Sequence, residues 1–127
     1  MSINGFHHIG VSVTDEAKSL AFYRDGLGGK VVHSFSIGPD KTIYLVDLGN
    51  NAVVELIPVG EGEADAKVGW VHIAVATDDT RAAFDAAVAV GAGVQMPPTE
   101  IPLGSLTAVI AYILGPDKEI IEYFQVV

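Results

Sequence analysis

The sequence predicts an α+β fold built from two βαβββ repeats, whose eight strands together form a cupped mixed sheet. Three observations lead to this prediction. The stretch HHIGVSVTD returns 64 positions later as VHIAVATDD. Each copy runs into a segment with helical spacing, and strand-like segments follow in both halves. Finally, each half carries one histidine on its first strand and one glutamate on its last: His8 with Glu55, then His72 with Glu122.

The first repeat covers about residues 5–59. The segment GFHHIGVSV shows alternating side-chain polarity and is rich in β-branched residues, which predicts a strand. TDEAKSLAFYRDGLGG opens on acidic capping residues, has helical spacing and stops at glycines, which predicts a helix. Three strand-like segments then follow, separated by the turn signals GPDK and GNN: KVVHSFSI, TIYLVDLG and AVVELIPV.

The second repeat covers about residues 70–127, after a polar, Gly-rich stretch at 60–69 that predicts a linker. WVHIAVAT predicts a strand, and DDTRAAFDAAVAVGAG predicts a capped helix. VQMPPTEIPLGS predicts a short strand and a Pro-rich loop, and LTAVIAYILG and KEIIEYFQVV predict two closing strands. Because either half is too small to bury a core alone, we expect residues 1–127 to form a single domain.

Composition excludes several classes of function. The net charge of −9 would repel phosphate backbones and anionic lipid surfaces, so neither nucleic acid nor a membrane is an expected partner. No apolar run approaches the roughly 20 residues that a membrane span needs. The N-terminus does not read as a secretory signal, and the chain has no cysteine. The expected location is therefore the cytoplasm.

The repeated histidines and glutamates predict a metal site. Alternation along each first strand places His8 and His72 on faces shared with small residues, so their side chains point into open space. Glu55 and Glu122 stand among apolar residues, where a carboxylate without a partner is costly. Taken alone, each of these residues could be structural, and a single strand histidine usually is. Their recurrence at corresponding positions favours one divalent metal held by two imidazoles and two carboxylates.

Two other histidines and one segment receive weaker predictions. His7 falls on the face opposite His8, and His33 has no partner in the second repeat, so both are predicted to be surface residues or supports for the ligands. PPTEIPLGS, residues 97–105, is predicted to lie over the site and shape substrate choice, with Gly104 as a hinge. A plain surface connector is the alternative.

The sequence resembles the vicinal oxygen chelate superfamily, which includes glyoxalase I, methylmalonyl-CoA epimerase, extradiol dioxygenases and the fosfomycin and bleomycin resistance proteins. The resemblance covers nearly the whole chain. It rests on four stretches: HHIGVSVTDEAKSLAFYRDGLGGKVV, AVVELIPV, VHIAVATDD and GPDKEIIEYF. They look like the family's strand-helix opening, its two Glu-bearing strands and its final hairpin. The resemblance implies a glyoxalase-like fold.

The ligand set is most similar to that of glyoxalase I. Extradiol dioxygenases use only His, His and Glu for iron, and the epimerases commonly have Gln at the position of Glu55. The full set of His8, Glu55, His72 and Glu122 implies a metal-dependent lyase or isomerase with Ni, Co or Zn, and Mn or Fe remain possible. It would act on a hemithioacetal or a similar small substrate with vicinal oxygens, through an enediolate. Glu122 is the first choice as catalytic base, with Glu55 as its counterpart.

Alternatives remain open at this point. The ligand set does not separate glyoxalase chemistry from epimerisation, and the same fold also forms drug-binding resistance proteins without catalysis. No residue here matches the Arg and Asn side chains with which glyoxalase I holds the glutathione carboxylates, so the thiol is open. The resemblance also implies a homodimer. Its sites would combine the first half of one chain with the second half of the other, or lie within one chain.

Overall fold

The computed structural model describes residues 2–59, 69–116 and 118–127. In chain order its elements are β1 (Ile3–Val13), α1 (Glu16–Leu20), β2 (Lys30–Gly38), β3 (Lys41–Asp47), β4 (Val53–Pro58), β5 (Gly69–Thr77), α2 (Thr80–Ala89), β6 (Gly93–Leu103), β7 (Leu106–Leu114) and β8 (Ile120–Val126). The order βαβββ occurs twice, which confirms the predicted α+β fold class. The predicted linker, residues 60–69, lies outside the described residues except for Gly69.

The chain divides into two compact units. Residues 8–71 form one, which we call the N-terminal unit. Residues 1–7 and 72–127 form the other, the C-terminal unit. The boundary therefore falls within β1 and within β5, so the first residues of the chain belong to the unit that contains its last strand.

The N-terminal unit contains a four-stranded mixed sheet in the order β2-β3-β4-β1, in which β1 and β4 are parallel and the other pairs are antiparallel. One face of this sheet is apolar and packs against Leu20 and Tyr23 from the helical segment after β1. The buried residues of this cluster are Val11, Val13, Val46, Val54 and Leu56. Alternation along β1 predicted this face, and the opposite face of the sheet carries His8.

The C-terminal unit repeats the arrangement in the order β6-β7-β8-β5, with β5 and β8 parallel. Thr80, at the start of α2, is fully buried and fixes the helix on one face of the sheet. Its hydroxyl donates to the Val109 carbonyl at 2.8 Å, and its backbone N–H donates to Gln125 Oε1 at 2.9 Å. The opposite face holds a second apolar cluster, which includes Ala74, Ile110 and Phe124.

The two helices begin as predicted, but the first is shorter than expected. Asp15 and Asp79 cap them, each accepting a backbone N–H three residues on at 3.0 Å. After the five residues of α1, the chain continues as a π-helical segment, Ala21–Gly26. Gly28 then adopts a φ of +73°, which suits the predicted glycine stop. No helix in the described ranges is long and apolar enough to span a bilayer.

The predicted Pro-rich loop at residues 97–105 is wrong, because most of it belongs to β6, which continues to Leu103 and pairs with β7. Register shifts between β6 and β7 occur at Val94/Met96 and at Met96/Thr99, and the second spans Pro97 and Pro98. β6 is also the outermost strand of its sheet, where a missing N–H is tolerated. Gly104, with a φ of +67°, opens a two-residue hairpin turn and is not the predicted hinge.

The N-terminal residues are tied to the end of β5. The backbone N–H and the hydroxyl of Ser2 both donate to the Asp78 carboxylate at 2.7 Å. In return, the Thr77 hydroxyl donates to the Ser2 carbonyl at 2.9 Å. The hydrogen bonds from Ser2 stabilise the ionised carboxylate and lower the pKa of Asp78 below its ordinary value.

Candidate metal centre

The N-terminal unit brings His8 and Glu55 together, as the repeat predicted. His8 lies on β1 and Glu55 on β4, where its partner across the parallel pair is Gly10. His8 Nε2 and Glu55 Oε1 are 3.6 Å apart, and their side chains are 0% and 12% exposed. Because Gly10 has no side chain, the two functional groups can approach each other over the surface of the sheet.

The C-terminal unit contains the corresponding pair in a tighter arrangement. Glu122 on β8 lies opposite Ala74 on β5, and His72 lies two residues before Ala74. His72 Nε2 and Glu122 Oε1 are 2.9 Å apart, at hydrogen-bond distance. The side chains are only 6% and 3% exposed, so both groups are largely removed from solvent.

Each pair therefore combines an imidazole nitrogen with a carboxylate oxygen in a buried position. These are donor types that Zn²⁺ and other divalent transition metals accept in proteins. A buried carboxylate must be compensated, and here each has an imidazole beside it that can serve as a hydrogen-bond donor or as a fellow ligand. The donor chemistry of both pairs thus fits the predicted metal.

The surroundings of the two pairs differ. The residue opposite Glu122 on β7 is Tyr112, whose ring meets the ring of His72 edge to face with centroids 5.9 Å apart. The residue opposite Glu55 on β3 is Leu45, which is buried. A phenol thus borders the C-terminal pair where an aliphatic side chain borders the N-terminal pair.

His33 lies on the same face as Glu55, which the sequence analysis did not predict. Val31 pairs with Val46 on β3, but His33 pairs with Leu45, so two residues of β2 advance while β3 advances one. This bulge at Val32 reverses the side-chain alternation. Val31 therefore packs in the apolar cluster, while His33 shares the opposite face with Leu45 and Glu55. Simple alternation would place His33 on the same face as Val31, and bulges have no reliable sequence signal, so the sequence alone does not reveal the actual face of His33.

His7 is half-buried, and its ring lies against that of Phe124 with centroids 4.0 Å apart. Phe124 is two residues after Glu122 on β8 and so shares its face. The structure therefore places His7 against the strand that carries Glu122.

Comparison with known proteins establishes the family. Residues 5–123 match the Glyoxalase/Bleomycin resistance protein/Dioxygenase superfamily. The uncharacterized protein YwbC of Bacillus subtilis (strain 168) is 32% identical over 123 residues, which cover 93% of this chain and 94% of YwbC. The chain therefore belongs to the glyoxalase/bleomycin resistance protein/dioxygenase superfamily, the group to which the sequence motifs pointed.

Solved structures share the fold at lower identity. Hypothetical protein BH1468 from Bacillus halodurans C-125 is 20% identical with a TM-score of 0.77, covering 98% of this chain and 95% of that one. Methylmalonyl-CoA epimerase from Mycobacterium tuberculosis is 22% identical with a TM-score of 0.76, covering 97% and 88%. Methylmalonyl-CoA epimerase from Streptomyces coelicolor, in complex with 2-nitronate-propionyl-CoA, is 21% identical with a TM-score of 0.70, covering 98% of each chain.

Proposed function

We propose that this protein is a divalent-metal-dependent isomerase of the glyoxalase I kind, classed as a lyase. It would act on a hemithioacetal or a similar small substrate with two neighbouring oxygens. The observation that carries the proposal is that each repeat sets a buried histidine Nε2 beside a buried glutamate Oε1. A second copy of the same arrangement is difficult to explain by structural need alone.

In this proposal, His8, Glu55, His72 and Glu122 hold one ion, with Ni, Co or Zn preferred over Mn or Fe. When bound, such an ion stabilises the negative charge that develops on the substrate oxygens as a proton leaves the neighbouring carbon. The two carboxylates would balance the two positive charges of the ion. The two imidazoles would bind in their neutral form.

Glu122 is the proposed base. Its carboxylate would take the proton from the carbon that bears the hydroxyl and the sulfur, and return it to the neighbouring carbonyl carbon. The hydroxyl proton passes to the former carbonyl oxygen, so the hemithioacetal of a 2-oxoaldehyde becomes the thioester of a 2-hydroxy acid without gain or loss of atoms. Burial of Glu122 keeps water from taking the proton during the transfer. Glu55 would serve as the counterpart on the other side of the substrate.

Epimerisation is the second candidate, favoured by the fold shared with two methylmalonyl-CoA epimerases. Here one carboxylate would remove the proton from a carbon between two carbonyl groups, and the other would return a proton to the opposite face. The residues are the same as in the first candidate, but here the second glutamate, rather than the first, returns the proton. Only the substrate decides between them.

The test is a substrate panel on protein reconstituted separately with Ni²⁺, Co²⁺, Zn²⁺ and Mn²⁺. We expect the hemithioacetal of methylglyoxal with glutathione, or with another thiol, to be converted to a thioester, followed by ultraviolet absorbance. Turnover of methylmalonyl-CoA alone would move the assignment to an epimerase. Tight binding of a cationic drug such as bleomycin, with no turnover of any panel member, would replace both with sequestration.

A further inference from the structure

The two repeats use the same row of positions across their sheets but fill them with different chemistry. In the N-terminal unit, His33, Leu45 and Glu55 pair across β2, β3 and β4. In the C-terminal unit, the corresponding row across β6, β7 and β8 is Met96, Tyr112 and Glu122. The glutamate occurs in both rows, whereas the residues at the outer positions, His33 on β2 and Met96 on β6, differ.

The correspondence of the two outer positions is structural, because the same bulge occurs in both repeats. In β2 the bulge lies between Val31 and His33, and in β6 it lies between Val94 and Met96. Both bulges therefore turn the following side chain toward the face of the glutamate. Met96 packs against the apolar cluster of its unit, whereas His33 lies beside the ring of Phe35 with centroids 5.7 Å apart.

The face that carries His33 also carries His8, Lys30 and Lys41, but the immediate neighbours of His33 are apolar. Leu45, Ile43 and Phe35 around it are apolar, and the hydroxyl of Ser12 is buried on β1, three strands away. An imidazole can donate or accept a hydrogen bond at either nitrogen, and its half-buried position leaves part of the ring accessible. His33 stands two strands from Glu55, roughly 10 Å at the usual spacing between strands.

We propose that His33 is a specificity-determining residue, which hydrogen-bonds an oxygen of the substrate remote from the reacting carbon. This inference rests on the proposed function and adds the class of substrate to it. The substrate is an acyl compound with a second oxygen-bearing group, such as a carboxylate or amide, about 10 Å from the part that contacts Glu55. The corresponding residue of the C-terminal unit, Met96, offers no equivalent donor.

The test compares His33→Gln and His33→Leu with Ser34→Gln, an exposed neighbour on the other face of β2. With a substrate turned over by the wild type, we expect His33→Leu to raise KM at least tenfold while kcat changes less than threefold. His33→Gln should recover part of the loss, because its amide also donates. The metal content of both His33 variants and the kinetics of Ser34→Gln should match those of the wild type. A KM within twofold of wild type for both His33 variants would overturn the inference.

A binding measurement separates this inference from the proposed function. The Cε1–H signal of His33 in an NMR spectrum is identified by its loss in His33→Gln. S-lactoylglutathione and methylmalonyl-CoA, added in turn, are the probes. A shift of the signal with either probe, in protein that turns over neither compound, would support His33 recognition while the proposed function fails. No shift with any bound probe would overturn the role of His33, whatever the activity.

Discussion

Glu122 and Glu55 occupy equivalent positions but experience different environments. The carboxylate of Glu122 is less exposed and stands closer to its histidine than that of Glu55 does. Removing Glu122 would therefore delete a proposed ligand that is already held in place. We expect Glu122→Ala to lower the affinity for Ni²⁺ or Zn²⁺ by more than tenfold, because an ion with three protein ligands is under-coordinated.

Elemental analysis and competition with a chromogenic chelator would measure this change. Glu100→Ala is the matched control, since Glu100 is exposed on β6. Its metal content should equal that of the wild type. Metal binding that is unaffected by both Glu122→Ala and His8→Ala would remove the proposed site.

The sequence alone pointed to the four candidate ligands because the two repeats can be aligned with each other. His8, Glu55, His72 and Glu122 stand at corresponding positions, and the structure brings each histidine to the glutamate of its own repeat. His33 escaped the same reasoning. Its face depends on a bulge at Val32, and a bulge is decided by the pairing with β3 rather than by local sequence.

At the scale of elements, the end of the first helical segment gives a sharp stability test. A Cβ at Gly29 would lie 2.5 Å from Val46 Cγ1 and 2.7 Å from the Tyr23 carbonyl oxygen. A Cβ at Gly28 would meet nothing within 4 Å, but its φ of +73° is unfavourable for alanine. We expect Gly29→Ala to lower the free energy of unfolding by about 3 kcal/mol through overpacking, and Gly28→Ala by about 1 to 2 kcal/mol.

Urea denaturation of the two variants would measure the difference. Equal losses would mean that the contact with β3 relaxes without cost. The comparison is informative because the sequence GLGG presents both glycines alike, and only the packing against Val46 separates them.

The attachment of α2 provides a second test at this scale. Replacing Thr80 with valine keeps its shape but removes the hydroxyl that donates to the Val109 carbonyl. We expect the free energy of unfolding to fall by about 0.5 to 1.5 kcal/mol, because a buried hydrogen bond is lost. The control is Thr99→Val, whose hydroxyl bonds an exposed carbonyl that water can satisfy. Similar losses for both variants would contradict this account.

Elements also show where sequence patterns fail. Alternation and capping signals correctly located β1, the start of α1 and the turn at GPDK after β2, because these depend on local preferences. The segment PPTEIPLGS was assigned to a loop on the strength of its prolines. Its position at the outer edge of a sheet, together with a bulge, makes those prolines acceptable in a strand, and neither condition can be read locally.

At the scale of the whole molecule, the contact between Ser2 and Asp78 should make stability depend on pH. The lowered pKa of Asp78 means that its stabilising effect is present above the ordinary carboxyl range and is lost as pH falls through the folded value. We expect Asp78→Asn to be less stable than the wild type near pH 7, with the difference shrinking below pH of about 4. Denaturation at a series of pH values measures it. A constant difference would contradict the cause.

We propose that the chain assembles as a homodimer. Its mass in solution can be measured by light scattering. Exchange between His8→Ala and His72→Ala chains then separates the two arrangements that the resemblance allows. If each site drew on two chains, a mixed dimer would have one intact site and one doubly damaged site. Random exchange makes about half of the dimers mixed, so about a quarter of wild-type activity would return. No recovery, despite demonstrated exchange, would place each site within one chain.

Because residues 1–7 belong to the C-terminal unit, the two units differ in how they can fold during synthesis on the ribosome. Residues 8–71 form an uninterrupted segment, so every partner within the N-terminal unit leaves the ribosome before residues 72–127 do. Residues 1–7, in contrast, leave the exit tunnel before their partners Asp78 and Phe124 and must wait for them. A bulky tag fused before Ser2 would therefore disturb the last step of maturation and leave the first untouched.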